Sequence, residues 1–376
     1  MSGAPSRFKR FLLPGFAFKA VVIGGGYATG RELAEFFLPS GPLGGVLGML
    51  LAMACWSVTC TVTYLFARAT RSYDYGAFFH ELLGPAALLF DFAYACLVLI
   101  ILSVFGAAAG EIGKALFHWP ALVGTLGLVF GIALVAAFGN ESVERLFKYI
   151  TYFLYAVYAV FVALAFLKSG DRIAASFAAP QVTTGWALGG LTYAGYNIVG
   201  AVAILPVLRH LTSSKDAVIA GLLSGPLGML PALLFFICMT AYYPDIGAAT
   251  LPSDYMLLRL DAPTFHLVFQ LMIFAALLES GTGAVHAVNQ RIAGALAERG
   301  VELPTAGRLL LAGALLVTSI FVATRFGLVA LIARGYTLLA YMFIVVYVVP
   351  VLTYGVWRLM RPAAGPAPVG EAAGTP

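Results

Sequence analysis

An all-α integral membrane protein, with ten transmembrane helices laid out as a 5+5 inverted repeat, is the fold class this sequence predicts. Three observations carry it: an apolar composition, an uneven spread of basic residues between alternate loops, and two glycine clusters five segments apart. Of 376 residues, 61% are hydrophobic and 10% are charged, and the mean hydropathy is +0.94. A soluble domain carries about 25% charged residues. The apolar runs are near the ~20 residues that a membrane helix needs, rather than the ~10-residue alternating segments of a barrel. The net charge of +5 comes from basic residues spread thinly between those runs. They act as topology signals and do not form a nucleic-acid surface.

The ten expected segments cover 14–38, 43–67, 85–112, 121–138, 146–167, 186–208, 217–243, 264–289, 309–324 and 328–357. Residues 1–13 form a cytoplasmic N-terminus and 14–168 a first repeat. A polar extracellular connection, 169–184, leads to a second repeat, 185–358, and 359–376 is a Pro/Gly/Ala-rich tail with nothing to fold it. Arg7, Lys9 and Arg10 precede the first apolar run in the manner of a signal peptide. Lys19 interrupts that run and the segment continues as a span, so no cleavage is expected. Cys55, Cys60, Cys96 and Cys238 all lie in apolar runs without metal-ligand spacing, and read as small buried side chains.

Placing both termini in the cytoplasm puts fourteen of the 22 basic residues in inside loops and five (Lys114, Lys168, Arg172, Arg259 and Arg325) in outside loops. Lys19, Arg31 and Arg334 remain within segments. The asymmetry obeys the positive-inside rule.

The first segment contains VIGGGYATGRELAE at 22–35, and the sixth contains Gly189-Gly190 followed by Tyr193 to Gly200. Gly26-Tyr27 recurs as Gly195-Tyr196, an offset of 169 residues. Each glycine costs a helix about 1 kcal/mol relative to alanine, so both helices are expected to break. Five intervening segments mean that the halves enter the membrane from opposite faces. Paired glycine-interrupted helices of an inverted repeat mark a transporter's substrate site. Close helix packing is the competing use of such glycines.

This arrangement resembles the LeuT-fold transporters of the amino acid–polyamine–organocation superfamily. More closely, GGGYATGRE and ESGTGAVHAVNQRI in the eighth segment look like the YkvI-like bacterial membrane proteins. The resemblance covers about residues 10 to 360 and implies secondary transport across the bacterial inner membrane. Some spore germinant receptor subunits share the fold and sense small molecules, so a sensor without flux is one alternative, and a channel is another. No HExxH, P-loop or soluble nucleotide-binding domain supports an enzyme.

The expected substrate wall comprises Gly25, Gly26, Tyr27, Ala28 and Thr29 from the first break, with Tyr193, Tyr196 and Asn197 opposite. The half-helix after Gly30 would offer free N–H groups to a carboxylate, which favours an amino acid or related zwitterion. Arg334 is a further substrate contact, or a partner for Glu111 or Glu32 in the outer vestibule. Arg31 and Glu35, four apart, form either a structural pair or, with Glu111, a gate.

A carboxylate deep in an apolar run is a functional candidate, and Glu279 is one. The resemblance implies a cation between carbonyls near Gly24 and Tyr27 and the hydroxyls of Thr282 and Ser280. Gly283 stands where a second hydroxyl is usual, so sodium coupling is open. Lys19 could pair with Glu279 and support proton coupling instead, or snorkel to the surface. No cofactor is expected beyond Na+ or H+ as coupling ion. His286 shares a helical face with Glu279, either as a relay or as a satisfied histidine. Asp91 belongs to an inner network, and Glu144 and Lys148 form a solvated pair. No segment presents a dedicated dimerisation face.

Overall fold

Helix boundaries follow the apolar runs, and their interruptions follow glycine and proline. The computed structural model describes residues 6–23, 25–138, 141–178, 182–297 and 300–361, apart from side chains at 137–148, 151 and 295. Gly24, the tail beyond 361 and the Glu144–Lys148 pair therefore lie outside the described residues.

The first segment is broken, as expected. Helix α1 (Leu13–Val22) stops at Ile23, α2 (Gly25–Ala28) is a single turn, and α3 (Arg31–Phe36) follows Gly30. Gly30 has φ +75°, and a Cβ there would stand 2.6 Å from Phe235 Cε1. Only glycine meets both demands without strain. Helix α4 (Gly41–Thr70) crosses next. A short α5 (Tyr75–Leu83), capped by Asp74 Oδ1 accepting from Ala77 N at 2.8 Å, leads to α6 (Ala87–Phe117) and α7 (Ala121–Phe138).

Helix α8 (Glu141–Ala178) runs eleven residues past the expected end at 167. The stretch after Lys168 is therefore mostly helix rather than an open connection. It is held there by docking: Lys168 Nζ donates to Leu260 O, and Ser169 Oγ meets Tyr242 OH at 3.1 Å.

The sixth segment departs from expectation. Helix α9 (Trp186–Asn197) runs unbroken through Gly189, Gly190 and Gly195, and the interruption before α10 (Val199–Ala203) is confined to Ile198. The glycines serve close packing instead. A Cβ at Gly189 would stand 2.0 Å from Phe36 O, and one at Gly190 2.4 Å from Gly48 O. Backbone-to-backbone approach of this kind is the packing use of small residues in membranes.

Helix α11 (Ser214–Thr240) begins with a capping box between Ser213 and Asp216 and contains Pro226 and Pro231. Pro226 cannot donate to Leu222 O; Ser57 Oγ of α4 does so instead, at 2.9 Å. A 3₁₀ turn at Asp245–Ala248 and α12 (Pro252–Arg259) then lie across one end of the bundle. Helix α13 (Pro263–Ala297) and α14 (Thr305–Ala330) follow. Gly327 kinks α14 with φ +73°, and α15 (Thr337–Phe343) and α16 (Val356–Met360), joined by π-helical turns, complete the chain.

Among the described residues six helical stretches are long and apolar enough to cross a membrane. The last, Thr305–Met360, covers 56 residues with the Gly327 kink inside it. The first segment before Arg31, the sixth segment and the short Ala121–Ala136 stretch are not among the six, the first of which, Arg31–Thr70, takes in α3 with α4. Outward faces are apolar: Leu310, Val317 and Phe321 of α14 are 67–75% exposed, the surface a lipid-facing helix requires.

Two packed groups emerge. Helices α1, α4, α9 and α11 pack on one another, and α6, α7, α13 and α14 form the second group. One end of the bundle, where α1 begins and α16 finishes, carries two ion pairs. Arg10 to Asp216, at 2.6 Å, ties α1's lead-in to α11, and Arg291 to Asp91, at 2.8 Å, ties α13 to α6. Asp91 thus joins an end network, as expected, with Arg291 over the Tyr75 ring at 4.1 Å. Each pair sits inside one group, and neither links the two.

Candidate functional site

A cavity of about 850 Å3 lies between the two groups. Ala20, Val21 and Ile23 of α1 line one wall, facing Glu279, Ser280, Thr282 and Gly283 of α13. Ile23 and Val199 line it beside the first-helix break and the sixth-segment interruption, and the exposed Thr305 and Arg308 of α14 line it as well. Gly283, His286 and Gln290 form an exposed stripe down α13. Gln290 donates from its amide to His286 Nε2 at 2.8 Å, so His286 is hydrogen-bonded and solvent-facing together.

The opposite end is shut. Arg31 is 6% exposed. Its guanidinium donates to Glu35 at 2.6 Å, to Gly247 O at 2.8 Å and to Ala249 O at 3.0 Å. The helical pair expected between Arg31 and Glu35 is present, and the same arginine clasps the lid formed by 245–260. Ser253 N donates to Thr29 O at 3.0 Å, and Asp254 accepts from Gln270 at 2.8 Å and meets His266 at 2.6 Å. Glu111, half-buried near the end of α6, joins none of the ion pairs among the described residues.

Between cavity and lid lies a tyrosine cluster. Tyr27, in the break, meets Tyr158 OH at 3.1 Å, and Tyr158 reaches Pro231 O at 3.3 Å. Tyr196 OH donates to Glu32 at 2.5 Å. The Tyr336 ring tilts against Tyr196 with centroids 4.5 Å apart, and Tyr193 lies 5.6 Å away on the other side. The Tyr193 hydroxyl is buried without a hydrogen-bond partner among the described residues. Trp56 Nε1, donating to Ala194 O at 3.2 Å, fixes the helix beneath.

The structure thus gathers Tyr27, Ala28, Thr29, Tyr193 and Tyr196 into one buried region, with the backbone of Gly25 and Gly26 in the α2 turn beside α13. Three expectations change. Asn197 spends its amide on its own helix, donating to Tyr193 O at 3.1 Å. Arg334 is exposed on the π-helical turn Leu331–Tyr336, and Tyr336 from that turn enters the cluster in its place. The amide of Arg31 is already capped by Thr29 Oγ1 at 3.2 Å, and α3 is only six residues long, so the carboxylate-binding helix end loses its first donor.

Of the coupling candidates, Glu279, Ser280 and Thr282 line the cavity, Lys19 and Tyr27 are not among its lining residues, and Gly24 lies outside the described residues. Thr282 Oγ1 donates to Leu278 O at 2.8 Å, and Tyr27 O accepts from Gly30 N at 3.0 Å. Both retain lone pairs for a cation. Lys19 is half-buried with its ammonium 4.2 Å from the Tyr155 ring centroid, and Tyr155 lines the same cavity as Glu279.

Sequence reasoning missed Tyr158 and Tyr336 and gave Glu32 only an incidental place. Glu32 was nevertheless legible. Arg31 and Glu35 share one face of a short helix, which turns the carboxylate between them about 100° away from that face.

No protein-family model matches the chain. It is 24% identical over 328 residues to the membrane protein YkvI of Bacillus subtilis (strain 168), covering 87% of this chain and 91% of that one. Among solved structures it is similar to MhsT in complex with L-phenylalanine, at TM-score 0.56 and 16% identity, covering 95% and 96% of the two chains. It is also similar to Mhp1 in an inward-facing conformation, at TM-score 0.58 and 16% identity, covering 97% and 82%. In sequence this chain is YkvI-like along most of its length, and in fold it is of the LeuT type shared with MhsT and Mhp1.

Proposed function

We propose that the protein is a secondary active transporter of the bacterial plasma membrane. It moves a small organic solute, an amino acid or related zwitterion, by alternating access coupled to a proton or sodium gradient. The observation that carries this reading is a cavity between the two helix groups, lined by Glu279, Ser280 and Thr282 and by none of the lid residues 245–260. A volume of about 850 Å3 suits a small-molecule site, and the Arg31 clasp closes the path beyond it. A channel needs a continuous path, and the lining of this cavity includes neither the tyrosine cluster nor the lid.

The reading rests on ten spans in two inverted repeats, 14–168 and 185–358, with both termini cytoplasmic. The basic residue count supports that orientation. The cavity wall at Thr305 and Arg308 then faces the inner side, and the lid 245–260 covers the outer one. Glu279, Ser280 and Thr282 provide the coupling site, close to the α2 turn that α13 packs against. The L-phenylalanine complex of MhsT supports an amino acid as cargo.

Purified protein in liposomes is expected to accumulate such a solute against its gradient when a proton or sodium gradient is imposed. Saturable binding without flux would replace the transporter by a sensor, and unsaturable flux would replace it by a pore. Glu279→Gln is expected to lower coupled uptake more than tenfold while leaving binding within threefold. Wild-type coupling in that variant would remove Glu279 from the mechanism.

A further inference from the structure

Glu32 sits two residues past the left-handed Gly30, on the face of α3 turned toward α9. It is 5% exposed. Its hydrogen bond comes from Tyr196 OH, and none of the ion pairs among the described residues includes it. Its neighbour Arg31 is directed to Glu35 and the lid carbonyls. A buried carboxylate without a cation costs more than one neutral hydrogen bond repays.

The surroundings are specific. Tyr196, which donates to Glu32, has the Tyr336 ring 4.5 Å and the Tyr193 ring 5.6 Å from its own. Phe36 adds a ring 5.8 Å from Tyr196. Tyr193, fully buried, keeps an oxygen with no partner. The group therefore offers a buried carboxylate outside the ion pairs of the described residues, an idle hydroxyl acceptor and several aromatic rings.

We infer that the Glu32–Tyr193–Tyr196–Tyr336 cluster is the recognition site for an organic ammonium group on the solute. The ammonium pairs with Glu32, donates to Tyr193 and is faced by the tyrosine rings, whose negative faces attract cations. In the conformation described, the Tyr196 hydroxyl fills the donor place that the ammonium takes on binding. A carboxylate on the solute contributes nothing here, because Glu32 repels it and Thr29 already caps the Arg31 amide. The inference deepens the transporter reading and names its substrate class as an amine-bearing solute whose carboxylate is dispensable.

The test is a binding measurement on the full-length protein in detergent, by thermal shift and calorimetry. The probes are three sets sharing a side chain: 2-phenylethylamine, L-phenylalanine and 3-phenylpropionate; butylamine, norvaline and valerate; tryptamine, tryptophan and indole-3-propionate. Amines and amino acids of at least one set are expected to raise the unfolding temperature, and its carboxylate is not. Glu32→Gln is expected to weaken amine binding by about 30-fold or more, the scale for losing one partner of a buried charge pair. Tyr193→Phe is expected to weaken it about three- to tenfold while leaving the unliganded unfolding temperature in place. Should Glu32→Gln fail to fold, Glu32→Asp and Tyr193→Phe carry the comparison.

Equal amine binding in wild type and Glu32→Gln would overturn the inference, as would carboxylates binding as well as amines, or no amine binding in any set. A response to pH alone would assign Glu32 to a proton instead and also overturn it. Glu32-dependent binding without flux sinks only the transporter reading. Flux of an amine-free solute, unchanged in Glu32→Gln, sinks only the ammonium site.

Discussion

Arg31 shows how one side chain can hold two states apart. Its three hydrogen bonds join the break in the first segment to backbone carbonyls of the lid at Gly247 and Ala249. Arg31→Lys keeps the charge but cannot reproduce the fork of donors. That variant is expected to lower solute uptake more than tenfold in liposomes, with folding preserved on gel filtration; uptake within twofold of wild type would make the clasp incidental. Gly30 sets the geometry that aims Arg31. Gly30→Ala places a Cβ in the left-handed region and against Phe235, so it is expected to destabilise the protein by about 2–4 kcal/mol. An unfolding temperature unchanged from wild type would refute that origin of the break.

At the scale of helices, the shared design is that polar side chains repair interrupted backbone. Ser57 supplies the hydrogen bond that Pro226 removes from α11. Ser57→Ala is expected to cost about 1–2 kcal/mol, the price of leaving Leu222 O unmet. Much of that loss should return in Ser57→Ala with Pro226→Ala, where the helix satisfies its own carbonyl. Additive effects in this double-mutant cycle would break the assignment. The lid seam is less completely repaired: Arg31 Nε, Ser253 Oγ and Gln270 Oε1 are buried without hydrogen-bond partners among the described residues. Unmet groups weaken a closed interface, which suits a lid that has to open.

At the scale of the molecule, the ion pairs near the termini lie within the two packed groups, leaving the cavity between them free to change width. Access is expected from one side in this conformation. In a background with Cys55, Cys60, Cys96 and Cys238 replaced, Gly283→Cys is expected to react with an impermeant thiol reagent only from the side of the termini. Gly283 is exposed in the cavity, and solute binding should slow its labelling. Labelling from the opposite side at an equal rate would contradict the closed lid.

The sequence by itself determined the membrane class, the positions of the long helices and the interruption of the first segment between Val22 and Arg31, because hydropathy and glycine cost act locally along the chain. It brought Tyr27, Tyr193, Tyr196 and Glu279 to notice for the same reason, as polar groups where lipid penalises them. Only the tertiary structure decided what the glycines of the sixth segment do. Gly189 and Gly190 could break a helix or admit a neighbour, and Phe36 O and Gly48 O settle the matter by standing where a Cβ would be. It likewise decided that Arg334 faces out and Tyr336 in, and that Asn197 spends its amide on its own helix. The short helices α5 and α12 carry no long apolar run and so left no signal. The pairing of Glu32 with Tyr196, 164 residues apart, depends on two helices meeting at one angle, which neither segment records alone.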